Sequence, residues 1–261
     1  MIIIWRLLFS FLFTAGFITA CTVERVGTVV FRANGEDFVR QGFESKDGWM
    51  IDFEHIYINL GDVRAHITDP AYNPEEGRGI SSQSEIQLDG TYKVDLAKGG
   101  PDSEPILIGE VENAPAGHYN AVSWAMVPGD SGYPLIVEGT ATKGEQTIDF
   151  RINVETGYAY TCGEYIGDER KGFLEEGGTT DLELTFHFDH IFGDGSHPME
   201  DELNQQAPGF EPFANAAQNG NLEINLAGLQ KSLPPEEFQM LVEILPTLGH
   251  IGEGHCHSEI P

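Results

Sequence analysis

Trp49-Met50-Ile51-Asp52-Phe53-Glu54-His55-Ile56-Tyr57-Ile58-Asn59-Leu60 is the stretch that decides how this chain folds. Apolar and polar side chains trade places along it with a period of two, the mark of a β-strand and not of a helix. Strand parity then puts Ile51, Phe53, His55, Tyr57 and Asn59 on one face, and Asp52, Glu54, Ile56 and Ile58 on the other. His55 therefore falls among aromatic side chains. An imidazole in such surroundings needs a hydrogen-bond partner or a metal ion.

Outward from this stretch the same alternation recurs at 26–33, 62–68, 84–97, 105–112, 118–127, 134–142, 146–154, 157–163, 181–191 and 221–226. The runs break at Gly, Pro, Asn and Asp, and Asp47-Gly48 and Asp89-Gly90 are turn dipeptides. Loops rich in Gly, Pro and acids lie at 69–83, 98–104 and 164–179. So many short strands predict a mainly β fold, an antiparallel β-sandwich built from residues 21–195. Helix comes late. Ser232 is placed to cap a helix over 235–245, with Phe238, Leu241, Val242 and Leu245 on its apolar face, and a shorter helix is expected over 211–218. Residues 196–261 are thus expected to form a small C-terminal helical appendage and a His-rich tail, packed on the sandwich.

The N-terminus gives the compartment. Residues 1–20 carry Arg6 and then an apolar run from Leu7 to Ile18, the pattern of an export signal and too short for a convincing membrane span. Ile18-Thr19-Ala20-Cys21 resembles the lipobox of bacterial lipoproteins, which implies cleavage before Cys21 and lipidation of its thiol. Membrane attachment through that lipid, facing the periplasm or the cell exterior, is the expectation. Thr22 after the cysteine favours the outer membrane if the cell is Gram-negative. The formal charge of −28 excludes nucleic acid as a partner, because phosphates need Lys and Arg. It either keeps an exported protein soluble or draws cations to it.

Gly249-His250-Ile251-Gly252-Glu253-Gly254-His255-Cys256-His257 gathers three of the nine histidines and one of the three cysteines. His, Cys and Glu bind borderline metal ions, and the interleaved glycines let a backbone wrap around one. With Cys21 lipidated, Cys162 and Cys256 remain, and in an oxidising compartment they pair most simply as a disulfide. Such a bridge would hold the tail as a lid over the body near Cys162. The alternative is that Cys256 is itself a thiolate ligand.

The other cluster is Thr185-Phe186-His187-Phe188-Asp189-His190. As a continuous strand it would send His187 and Asp189 to one face and His190, with the phenylalanines, to the other, so that only a bulge or strand end before Gly193 could bring both rings to one ion. The candidate metal ligands are accordingly His55, His187, His190, His250 and His255, with Glu253, Asp189 and His257 around them. Three or four such donors suit zinc or copper(II). His66 and His118 read as structural, and His197 as solvated.

Ala114-Pro115-Ala116-Gly117-His118-Tyr119-Asn120-Ala121-Val122 resembles the Pro-x-Gly-x-Tyr strand start of uncharacterised bacterial β-sandwich lipoproteins of the cell envelope, some of them metal-associated. Residues 180–261 resemble a bacterial periplasmic pattern as well, through the two histidine clusters. No nucleophile elbow, phosphate loop, dinucleotide fingerprint or His-Glu-x-x-His helix occurs. The expected function is a lipid-anchored protein that stores, senses or delivers zinc or copper, with a metal transporter or metalloprotein as partner. The alternatives are a structural or adhesive β-module without metal and a zinc-dependent hydrolase.

Overall fold

The computed structural model describes residues 25–77, 79–163, 172–252 and 254–261. The lipidation candidate Cys21 and the whole export signal lie outside the described residues, as does Glu253. The chain is mainly β. Its strands are β1 (Val26–Asn34), β2 (Phe43–Glu44), β3 (Met50–Thr68), β4 (Ser82–Asp95) and β5 (Ile106–Pro115). There follow β6 (Gly117–His118), β7 (Ala121–Met126), β8 (Leu135–Lys143), β9 (Gln146–Val154), β10 (Ala159–Cys162), β11 (Phe173–Leu174) and β12 (Thr179–Phe186). The last three are β13 (Asn221–Asn225), β14 (Gly249–Ile251) and β15 (Gly254–Glu259). The helices are short: α1 (Glu36–Gln41), α2 (Asp189–Phe192), α3 (Glu202–Gln206), α4 (Glu211–Ala216), α5 (Leu226–Ser232) and α6 (Pro235–Ile244).

Among the described residues the main sheet runs β13-β9-β8-β3-β7-β10-β15-β14-β12-β1-β5, with β2 and β4 also on β3; β6 and β11 pair separately. Pairing is antiparallel except between β1 and β12 and between β13 and β9. The sheet is not flat. Three strands separate β7 from β12, a span of about 19 Å at ordinary strand spacing, yet the rings of Trp124 and Phe186 lie 6.0 Å apart, edge to face. An aromatic cluster packs the segment after β12 against the sheet: Phe53 of β3 contacts Phe150 of β9 and Phe188, and Phe150 contacts Phe192 and Phe210, with Phe213 beside them.

The expected strands 49–60 and 62–68 are one strand, β3. Its register against both β4 and β7 shifts just after Gly61, where Asp62 takes φ 50°. Asp89-Gly90, expected as a turn dipeptide, is the matching irregularity in β4. A bulge lets the chain keep pairing while it changes twist, so neither site ends a strand. A second shift, between Phe53 and His55 against β8, has a larger consequence. Ile51 is buried on one parity, but beyond the shift Ile56, Ile58 and Leu60 are buried on the other.

The C-terminal segment differs most from expectation. Residues 196–261 are not an appendage laid on a finished body: they contribute β13, β14 and β15 to the main sheet. The His-rich tail is no lid. It is a hairpin inserted between β10 and β12, and without it the two halves of the sheet share no hydrogen-bonded strand along that order. Two glycines make this possible. Gly252 takes φ 54° at the turn between β14 and β15. At Gly249 a Cβ would sit 2.6 Å from the Tyr160 ring, so only glycine lets β14 pass so close. Cys162 and Cys256 are register partners on β10 and β15 and form the disulfide, with sulfurs 2.01 Å apart.

Helix α6 spans Pro235–Ile244, and α4 covers the shorter helix expected in the 211–218 region. Ser232 ends α5 and caps nothing; the N-cap of α6 is Pro234. Leu241 and Leu245 are buried and Phe238 packs on the core, as expected of the apolar face, whereas Val242 is exposed and Ile244 is buried in its place.

Candidate metal centre

The centre is built where β12 stops. Leu182, Leu184, Phe186 and Phe188 fill the core from one side of the strand, while Glu183, Thr185 and His187 alternate with them and are buried as well. At Asp189 the chain turns into the single-turn helix α2, with the Asp189 carboxylate accepting from the His190 N–H at 3.0 Å. Gly193, at φ 66°, closes the turn by donating to the Asp189 carbonyl. This strand end removes the obstacle that parity posed. In a regular strand His187 and His190 diverge, but across the strand-to-helix corner their ring centroids are 5.4 Å apart.

The hairpin brings the third ring. His250 on β14 is paired with Thr185 of β12, and its ring centroid lies 4.2 Å from that of His187 and 5.1 Å from that of His190. One ligand atom each from His187, Asp189 and His190 lies within 4.8 Å of the others, a spread that a single cation can bridge after small side-chain movements. His255 is the backbone register partner of His250, and its side chain lies outside the described residues.

Carboxylates surround these rings. A Glu36 oxygen is 3.5 Å from His187 Nδ1, and an Asp189 oxygen is 4.0 Å from the same nitrogen. Asn34 ties the outer acids together: its amide donates to Glu183 at 3.1 Å, and its carbonyl oxygen accepts from the Glu36 N–H at 3.1 Å. Glu36 adopts φ 63°, a left-handed conformation costing a non-glycine residue about 1 to 3 kcal/mol. Burial pushes the Asp189 carboxyl up to about 6, against the stabilising N–H of His190. A carboxylate so desolvated gains from a cation beside it.

Thr247 closes the site from below. Its hydroxyl donates to the Ile244 carbonyl at 2.9 Å and lies 2.8 Å from His190 Nδ1, while its own carbonyl lies 2.9 Å from His250 Nε2. A cavity of about 290 Å³ opens beside it, lined by His190, Glu202, Leu203, Gln206, Ile244 and Thr247.

Of the sequence-derived candidates, His187, His190, Asp189 and His250 come together. His55 does not join them. The register shift after Phe53 turns it out of the aromatic face, and its ring stacks on Tyr57 and pairs with Asp95 at 2.8 Å. His257 is paired with Thr161, and its ring lies against Gly77. Cys256 is bridged and so is not a thiolate ligand here. His66 is structural: it is buried between the hydroxyls of Ser82 and Ser123, at 2.7 and 3.0 Å. Although Glu85 lies 3.4 Å away, burial outweighs that charge and holds the ring's pKa below the usual histidine value. His118 stacks on Phe173, and His197 sits 3.6 Å from Asp194.

Glu36 and Thr247 escape a sequence reading. Neither belongs to a ligand-spaced motif, and each arrives through long-range pairing. The sequence matches no protein-family model, and comparisons with curated proteins and with solved structures give no match.

Proposed function

We propose that the protein is an exported, lipid-anchored envelope protein that binds one zinc or copper(II) ion through His187, Asp189, His190 and His250, for storage, sensing or delivery to a membrane or protein partner. The observation that carries this reading is the meeting of three imidazoles and a half-buried carboxylate from two distant segments of chain. Zinc and copper(II) both accept imidazole and carboxylate donors, and buried histidines next to acids are the usual surroundings of such ions. The Cys162–Cys256 disulfide fits an oxidising compartment and so supports export. The folded sheet, with Trp124 against Phe186, supports a β-sandwich whose two layers are joined by the C-terminal hairpin.

Tag-free protein, stripped with chelator and titrated with zinc and with copper(II), should take up one equivalent of at least one of them. His187→Ala and His190→Ala should each abolish that uptake, whereas His55→Ala should not. A wild-type protein that takes up neither metal would sink the proposal. The cavity beside His190 favours one second reading, a zinc-dependent hydrolase, since it would let water and a small substrate reach the ion. Ester turnover that disappears with chelator would support it.

A further inference from the structure

Metal binding by histidine depends on which ring nitrogen keeps its proton, and the donor that binds must have a free electron pair. Around Thr247 the hydrogen-bond geometry favours one assignment for each of two rings. A backbone carbonyl can only accept, so the contact of 2.9 Å between Thr247 O and His250 Nε2 puts the proton on Nε2. The neutral His250 ring then has its electron pair on Nδ1. The Thr247 hydroxyl owns one proton and gives it to the Ile244 carbonyl at 2.9 Å. Toward His190 it is therefore an acceptor, and the contact of 2.8 Å puts the proton on His190 Nδ1. In the neutral His190 ring the electron pair lies on Nε2.

We infer that Thr247 is the positioning residue of this centre, its hydroxyl and carbonyl together making Nε2 of His190 and Nδ1 of His250 the donor atoms. The inference rests on the metal-binding reading and refines it: it names donor atoms on two ligands and a residue that controls them without touching the ion. Groups in this outer position commonly change metal affinity by about 10 to 100-fold when removed. The hydroxyl is the separable part, because substitution of the side chain leaves the carbonyl in place.

The test compares wild type with Thr247→Val, which keeps the shape and loses the hydroxyl, and with Thr247→Ser, which keeps the hydroxyl. Nitrogen-15 NMR of the metal-free proteins at pH 8 reads the tautomers directly. His190 should be protonated at Nδ1 in wild type and Thr247→Ser, and should shift toward the Nε2-protonated form in Thr247→Val. Zinc affinity should fall about tenfold in Thr247→Val and stay near wild type in Thr247→Ser. A wild-type His190 protonated at Nε2, or a Thr247→Val protein with unchanged tautomer or unchanged zinc affinity, would overturn the inference. Failure of wild type to bind zinc or copper(II) would instead overturn the metal-binding reading, with the tautomer measurement still deciding the hydrogen-bond assignment. Thermal unfolding of all three metal-free proteins separates these effects from a loss of fold.

Discussion

At the scale of single residues, Asp189 holds the sharpest conflict between stability and function. Its carboxyl is pushed up to about 6, chiefly by burial, from an ordinary value near 3.8. A folded-state value above the unfolded one means that its favourable contribution is complete below about 3.8 and disappears as pH rises through about 6. At neutral pH the metal-free protein therefore carries a half-buried negative charge at a cost of about 1 to 3 kcal/mol. Asp189→Asn keeps an oxygen for the His190 N–H and removes the charge. We expect it to raise the unfolding temperature of the metal-free protein at pH 7.5, to lose that advantage at pH 4, and to weaken zinc binding at least tenfold. Denaturation at the two pH values with a metal titration checks all three; a destabilised metal-free variant at pH 7.5 would contradict the account. His187, Asp189 and His190 were legible as candidates because their residue types lie close together in sequence, although strand parity alone sends the two rings apart. Glu36 and Thr247 were not, because neither the left-handed turn after Gly35 nor the turn after α6 advertises what it will face.

At the scale of elements, two irregularities decide which histidines meet. The corner from β12 into α2 brings His190 back to His187, and the register shift in β3 sends His55 away. Parity arguments assume an unbroken ladder, and a one-residue slip reverses every side chain beyond it. The alternating pattern was right that this stretch is strand, but it placed the side chains beyond the slip, His55 among them, on the wrong face. The same dependence on close geometry governs β14. A methyl group at Gly249 would meet the Tyr160 ring at 2.6 Å, in a region where Tyr160 also stacks on Trp124. Gly249→Ala should destabilise the fold by about 1 to 3 kcal/mol, as overpacking does, and should weaken zinc binding because His250 is the next residue. Equilibrium denaturation together with Trp fluorescence would register the displacement. Unchanged stability would show that β14 has more room than its backbone implies.

At the scale of the whole molecule, the mainly β character and the pairing of Cys162 with Cys256 followed from alternation and cysteine arithmetic. The place of the tail did not follow, because strand order in a sheet is set by long-range contacts that leave no periodic mark. The disulfide closes a separation of 94 residues, and chain-entropy estimates assign about 4 to 5 kcal/mol to a loop of that size. Replacing both cysteines with serine should therefore cost several kcal/mol of stability and also lower zinc affinity, since the bridge holds the hairpin that carries His250. A double variant with wild-type melting and wild-type affinity would remove the bridge from this account. The position of the hairpin has a further consequence for biogenesis. Among the described residues, 249–259 follow every other strand yet sit in the middle of the sheet order. Until they are in place, β10 and β12 lack the strands that join them. Closure of the sheet, oxidation of the cysteines and the approach of His250 to His187 would then be coupled, late events in folding.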